Sequence, residues 1–246
     1  QNTKNKILQT NHLILGSGIA GLFTAIKLAE EGSVILITKD HIKESNSTYA
    51  QGGIAAAMLY PDSPQKHYDD TLKAGDYHNN NQAVKVLTEE GPQRIKELIE
   101  LGVKFDTKAQ KLQLSKEGAH SEARVLHHKD FTGQEITNVL ISHCKKHANI
   151  TLLENTFAYK LQKIHNSCTG CLAFDLQYHY QINAAVTILA TGGAGQLYKY
   201  SSNPKVATGD GYILAHECGC SLIDMEFIQF HPTTFLYNKF QSKVFL

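Results

Sequence analysis

The apolar residues between His12 and Glu31 change period in the middle. His12 to Leu15 is a short strand-like run ended by Gly16. Beyond the glycines, Leu22, Ala25, Ile26, Leu28 and Ala29 recur at helical spacing until Gly32. Ser33 to Thr38 then reads as a second, β-branched strand. The order is strand, glycine turn, helix, strand, the β-α-β unit in which a parallel sheet places a nucleotide at its first junction. Further along, Pro92 to Leu101 predicts an amphipathic helix with proline in its first turn, Ile95, Leu98 and Ile99 facing the core, and Gly102 as its stop. Gln134 to His147 predicts another, with Ile136, Val139, Leu140 and Cys144 inward, and Ile150 to Leu153 the next strand. Alternation between Tyr159 and Ile182 predicts a hairpin or small antiparallel sheet. Ala184 to Ala190 predicts a separate buried parallel strand running into TGGAG, followed by a helix over Tyr212 to Glu217 and a strand near Ser221. After Phe227 no clean period remains, as at the opening of another domain.

Composition narrows the partners. The 246 residues suffice for one large α/β domain with a sizeable core. With 42% hydrophobic and 19% charged residues and a net charge of +1, nothing marks a disordered tail or a phosphate-backbone surface, so nucleic acid is not expected. Runs such as HLILG and SVILIT are too short to span a bilayer, and the polar start predicts neither signal peptide nor membrane anchor. The expected location is the cytoplasm. Five cysteines, among them a C-x-x-C at Cys168 and Cys171 and a C-x-C at Cys218 and Cys220, form no defined zinc set, and free thiols are expected with no metal.

Gly16, Gly18 and Gly21 fit G-x-G-x-x-G. The first allows the tight turn, the second lets the backbone approach a pyrophosphate, and the third lets helix and strand pack closely. The helix amino terminus adds oriented N–H groups and partial positive charge. Where an acidic residue would hold a ribose hydroxyl at the end of the second strand, Thr38 and Lys39 stand instead. On its own this lysine leaves open a 2′-phosphate dinucleotide or a contact elsewhere on the nucleotide.

Five motifs in order, GSGIAG, STYAQGGIAA, ILATGGAG, TGDG and EFIQFHPT, resemble the succinate dehydrogenase, fumarate reductase and L-aspartate oxidase flavoprotein family over nearly the whole chain. The resemblance implies FAD as cofactor, with a polar residue and lysine normal after the second strand. It implies a Rossmann-like α/β FAD-binding domain with a parallel central sheet and a small antiparallel insertion over residues 1–226. The start of a truncated capping domain would follow over 227–246. Carried over by motif, Gly16, Ser17, Gly18, Ile19, Ala20 and Gly21 would line the pyrophosphate and Lys39 the adenosine side. Asn46, Ser47, Thr48, Tyr49, Ala50, Gln51, Gly52 and Gly53 would form the flavin loop. Phe157 and Ala158 would offer backbone to adenine, Gly192 would belong to the glycine turn of TGGAG, and Asp210 would bind cofactor hydroxyls. Respiratory members carry a flavin-linked histidine where this chain has Asn46, six residues before the paired glycines, so non-covalent FAD is expected and the resemblance moves towards the aspartate oxidases.

The same resemblance assigns Glu117, in LSKEGAHSEARVLH, to the substrate ammonium, and His231 to a substrate carboxylate with Gln229 beside it on the strand's same face. A carboxylate facing an ammonium is a charge-assisted hydrogen bond, and one ammonium is what separates aspartate from succinate. His120 and Arg124 lie near Glu117 in sequence without an assigned role. The implied reaction is oxidation of L-aspartate to iminoaspartate with O2 or fumarate as electron acceptor, the product passing to quinolinate synthase in NAD biosynthesis. The family's substrate arginines, second histidine and late FAD segment have no counterpart before Leu246, so this chain alone is expected to be inactive. A soluble fumarate reductase-like flavoprotein and an inactive FAD-binding fragment are the alternatives.

Overall fold

The computed structural model describes residues 4–230 and the backbones of 234–237 and 242–245. In chain order the elements are β1 (Lys4–Leu15), α1 (Ile19–Leu28), β2 (Val34–Ile37), β3 (Ile54–Ala55), α2 (Pro64–Ala74), α3 (Asn81–Glu100), β4 (Thr107–Lys108), β5 (Lys111–Leu112), β6 (Leu114–Ser115), β7 (Val125–Leu126), α4 (Thr132–Lys146), β8 (Ile150–Leu153), β9 (Phe157–Ile164), β10 (Ser167–Phe174), β11 (Tyr178–Leu189), α5 (Asp210–Glu217), β12 (Thr234–Tyr237) and β13 (Ser242–Phe245). They form two compact units, one made of residues 1–46 with 144–246 and the other of 47–143.

The first unit is built on a six-stranded sheet in the order β8-β2-β1-β11-β10-β9. The four strands from β8 to β11 run parallel, and β9 and β10 add antiparallel. The parallel register ends flush, with Leu15 opposite both Leu189 and Ile37, and Ile37 opposite Leu153. Alternation sets the two faces. Leu13, Leu15, Ile35 and Ile37 join Cys171, Ala173, Tyr180, Ile182 and Leu214 of α5 in one core, while α1 lies along β1 and β2 with Leu22 and Ala25 fully buried. Each such aliphatic side chain contributes roughly 1.5–3 kcal/mol by leaving water.

The expected small antiparallel sheet forms from β9, β10 and the outer half of β11, and the strand expected separately after it is the inner half of the same β11. No turn residue interrupts Tyr178 to Leu189, so β11 pairs antiparallel with β10 on one edge and parallel with β1 along the other. β1 is correspondingly longer than its apolar run, because Lys4 to Thr10 pair with Tyr178 to Ala184. No strand forms near Ser221. Residues 221–230 are irregular, and the left-handed Asp224 at φ 56 breaks an extended run.

The second unit holds α2, α3, most of α4, the three-stranded ladder β3-β7-β6 and the β4-β5 pair. The helix expected to begin at Pro92 begins at Asn81, capped by the Asn80 side chain, which accepts the Ala83 N–H at 3.1 Å. Val84, Thr88, Ile95 and Leu98 form one buried stripe on both sides of Pro92, so tertiary burial carries the helix through a residue that removes one backbone bond. Ile99, expected inside, is exposed, and Val139 is half-buried, Ile141 taking an inward place beside Ile136 and Leu140. α2 shows Ser63 as cap and Pro64 at its first position, a start signal that precedes a mostly polar helix.

Ile182 lies at the centre of the first unit's core with no exposed surface. Ile182→Ala is expected to cost about 2–5 kcal/mol, read as a fall in the urea midpoint at unchanged slope. A loss under about 1 kcal/mol would mean that this core is not the stabilising one.

Candidate functional site

In the first unit the flush carboxyl ends of the parallel strands collect the predicted cofactor residues. Gly16 follows β1 at φ +114, its N–H bound to Ile37 O at 2.9 Å. A Cβ there would stand 2.2 Å from Ala190 O, and one at Gly21 would stand 2.0 Å from Gly16 O. The turn therefore lies directly on the end of β11 and α1 directly on the turn, an approach that only glycine permits. Gly18 caps α1 with extended backbone, no side-chain cap bond and no acidic residue in the first turn. Ser17 is buried, its Oγ donating to Thr38 Oγ1 at 3.0 Å, while Ala20 is exposed. An uncapped helix amino terminus beside a glycine cradle fits the diphosphate of a dinucleotide.

Lys39, just past β2, donates to Asp210 and to Thr208, and the Thr208 hydroxyl donates to Asp210 Oδ1 at 2.8 Å. Two residues assigned separately to the cofactor thus meet each other. Gly209, left-handed at φ +78, turns the chain into α5, and Gly211 leaves room for Thr191, whose Oγ1 would be 1.8 Å from a Cβ there. Gly192 is left-handed at φ +71 with open space where a Cβ would project. Phe157 and Ala158 begin β9, beside the Thr156 N–H that binds Thr38 O at 3.0 Å. Asn46 is exposed. Burial pushes the thiols of Cys144 and Cys171 up to about 12, so both are uncharged inside the unit.

In the second unit the flavin-loop residues form a turn on the start of α4. Ala50 N–H reaches Ser47 O at 3.3 Å, Gly133 N–H reaches Ala50 O at 2.9 Å, and a Cβ on Gly133 would lie 1.9 Å from Ser47 O. Thr48 Oγ1 meets Thr137 Oγ1 at 3.4 Å. Tyr49, Gln51 and Gly52 are exposed. Gly53, at φ +81, leads into β3, which pairs with β7, which pairs with β6. Through this ladder the second paired glycine comes against the residue after β7, because a Cβ on Gly53 would lie 2.8 Å from His127 Cε1. His127 Nε2 in turn stands 3.2 Å from Glu117 Oε1. Glu117, His127 and Gly53 therefore occupy one place in this unit.

The loop that carries Glu117 is anchored on a charge network that the residue pattern did not reveal. Arg124 is fully buried. Its Nε and Nη2 donate to Asp62 at 2.9 and 2.8 Å, and its Nη1 donates to Asp70 at 2.6 Å and faces His120 Nδ1 at 3.2 Å. Asp70 also accepts the Ser121 N–H and hydroxyl, both at 2.7 Å. Burial by itself would raise the Asp70 carboxyl, but the Ser121 bonds and then the Arg124 guanidinium outweigh it and hold it at about 2. His67 is lowered by burial, then by Arg124 and His120. Sequence proximity of His120 and Arg124 to Glu117 pointed here, whereas Asp62 and Asp70, more than fifty positions away, gave no local signal.

Gln229 is exposed in an irregular segment rather than on a strand, and His231 lies outside the described residues. Among the described residues no helix is long and apolar enough to cross a membrane.

The family model for the FAD binding domain matches residues 11–245. The chain is 42% identical over 227 residues to L-aspartate oxidase 2-a, chloroplastic, of Nicotiana tabacum, covering 89% of this chain and 35% of that protein. It is 39% identical over 234 residues to L-aspartate oxidase of Clostridium perfringens, covering 95% and 53%. Its structure is similar to that of E. coli quinol fumarate reductase at a TM-score of 0.90 and 29% identity, over 93% of this chain and 40% of that one. The chain thus spans from about a third to about half of the length of these relatives.

The Asp70 network has a pH signature. Its carboxyl lies at about 2 when folded against an ordinary 3.8, so its contribution is complete above about pH 4 and is lost as pH falls towards 2. Asp70→Asn is expected to lower the urea midpoint at pH 7 and to flatten its fall between pH 4 and 2. An acid fall as steep as in the parent protein would remove Asp70 as its source.

Proposed function

The chain belongs to the FAD binding domain family, and we propose that the protein it forms oxidises L-aspartate to iminoaspartate, holding FAD without a covalent bond. The identity of about 40% to L-aspartate oxidases over some nine-tenths of the chain supports the reading. The observation that carries it is the ladder beside which His127 lies against Gly53 and Glu117 lies against His127. Bound FAD supplies the two-electron acceptor.

The chain's own residues do the rest of the work assigned to this portion. The amino terminus of α1 and the Gly16 turn hold the diphosphate, and Lys39, Phe157, Ala158, Gly192 and Asp210 frame the nucleotide end. Residues 46–53 meet the flavin, where the Asn46 carboxamide offers no nucleophile for a covalent link. Glu117 accepts a hydrogen bond from the substrate ammonium, a contact that a dicarboxylate without the ammonium does not make and that leaves a carboxylate facing it unfavourably. His231 and Gln229 hold a substrate carboxylate from the 227–246 segment, which opens the capping domain after the FAD-binding portion at 1–226.

O2 and fumarate are the proposed electron acceptors, and the imine is the substrate of a quinolinate synthase. The similarity to a fumarate reductase supports fumarate as acceptor and also sustains the rival reading, a dicarboxylate reductase. The five unpaired cysteines accord with a reducing compartment, and the cytoplasm is the location proposed.

The test is an anaerobic visible spectrum of the FAD-loaded full-length protein. Bleaching by L-aspartate and not by succinate is expected, and bleaching by succinate alone would favour the dicarboxylate enzyme. Glu117→Gln is expected to lower kcat/KM for L-aspartate about tenfold or more, as the loss of a hydrogen bond between charged groups, with fumarate reduction changed less than about twofold. Equal losses in the two reactions would overturn the assignment of Glu117.

A further inference from the structure

The residue after β7 closes the segment that carries Glu117 and has no role assigned from the sequence, yet it lies against both Gly53 and Glu117. His127 is half-buried, follows the buried pair Val125 and Leu126, and accepts the Asp106 N–H on its backbone oxygen at 2.8 Å. Its ring edge stands flush against Gly53, at the distance where a Cβ would collide with Cε1. Its Nε2 stands 3.2 Å from Glu117 Oε1.

Glu117 needs such a partner. It is exposed, on a tight turn in which the His120 N–H reaches Glu117 O at 3.3 Å and Ala119 is left-handed at φ 68. Neighbouring Gly118 brings no side chain against it. The backbone of the turn is fixed by the Ser121–Asp70–Arg124 bonds and by the Arg124 N–H on Ser115 O at 3.1 Å. The Glu117 side chain keeps its rotatable bonds, and fixing an exposed glutamate costs rotamer entropy. A carboxylate held at one oxygen is ordered before the substrate arrives and keeps its other oxygen free.

We propose that His127 is the positioning residue for Glu117, and so a determinant of the preference for an amino dicarboxylate over a plain one. Resting on the reading of Glu117 as the ammonium's acceptor, the arrangement uses the imidazole as a donor of Nε2–H to Glu117 Oε1. Glu117 Oε2 then faces the ammonium, and the ring, wedged on Gly53, ties the carboxylate's position to the end of the flavin loop.

The test uses the FAD-loaded full-length protein with three variants. His127→Leu keeps bulk and removes the donor, His127→Gln keeps an N–H donor, and Glu117→Gln reports on the underlying reading. His127→Leu is expected to raise KM for L-aspartate about tenfold at nearly constant kcat, the equivalent of one hydrogen bond to a charged group. The succinate dissociation constant, read from perturbation of the flavin absorption band, should stay within about twofold, and flavin content and thermal midpoint should match the parent. His127→Gln should recover most of the loss, and His127→Leu added to Glu117→Gln should cost nothing further. The proposal is overturned if His127→Leu leaves KM for L-aspartate unchanged while Glu117→Gln raises it. It is equally overturned if His127→Leu weakens succinate and L-aspartate alike or if His127→Gln fails to rescue. A Glu117→Gln protein that keeps its full preference for L-aspartate would refute the ammonium reading itself, and the role of His127 with it.

Discussion

The cofactor end of the first unit depends on one close approach of backbone to backbone. Gly16 sits where β1, β2 and β11 all stop, and a single added carbon there would overlap Ala190 O. With no side chain at Gly16 or Gly21, the turn lies on one strand end and the helix on the turn, which aims the first N–H groups of α1 past the sheet's edge. Thr38, Thr156, Thr191 and Asp210 all lie just beyond the same flush edge, so their spacing follows from the strand register.

The second unit meets a different constraint. A fully buried guanidinium is stable only when its charge and donors are answered, and breaking such a pair by removing one partner costs about 3–5 kcal/mol. Arg124 is answered by Asp62, just before α2, and by Asp70 in its middle, while its own backbone is held on Ser115 of β6. The network thereby joins a helix to a two-residue strand ladder too short to hold itself. The turn bearing Glu117 is the stretch between the two. That turn takes its rigidity from buried ions rather than from strand pairing.

Much of this was legible in the sequence where local rules agree. The glycine turn, α1, β2 and β8 follow from apolar period and punctuation alone, and the ordered motifs marked the FAD-binding family to which the chain belongs. The failures have specific causes. β11 was divided because its outer half alternates, exposed on one face, and its inner half reads as a buried strand, although the backbone is continuous. α3 was halved at Pro92 because a local rule was outweighed by a buried stripe that begins at Val84. The pairing of Glu117 with His127 was out of reach because it depends on β6, β7 and β3, each two residues long and without period. Asp62 and Asp70 are ordinary acidic residues until a non-local contact puts a buried arginine between them.

Lys39 shows how a contact can decide what a motif leaves open. A lysine in place of the ribose-binding acid suits a 2′-phosphate only if its charge is free to meet one. Here the charge is compensated by Asp210, with Thr208 bonded to both. A phosphate at this position would face the Asp210 carboxylate as closely as the Lys39 ammonium, and the repulsion would offset the attraction. What the pair presents instead is a set of donors and acceptors with little net charge, suited to hydroxyl groups. The acid absent from the end of β2 stands instead at the opening of α5, paired with Lys39.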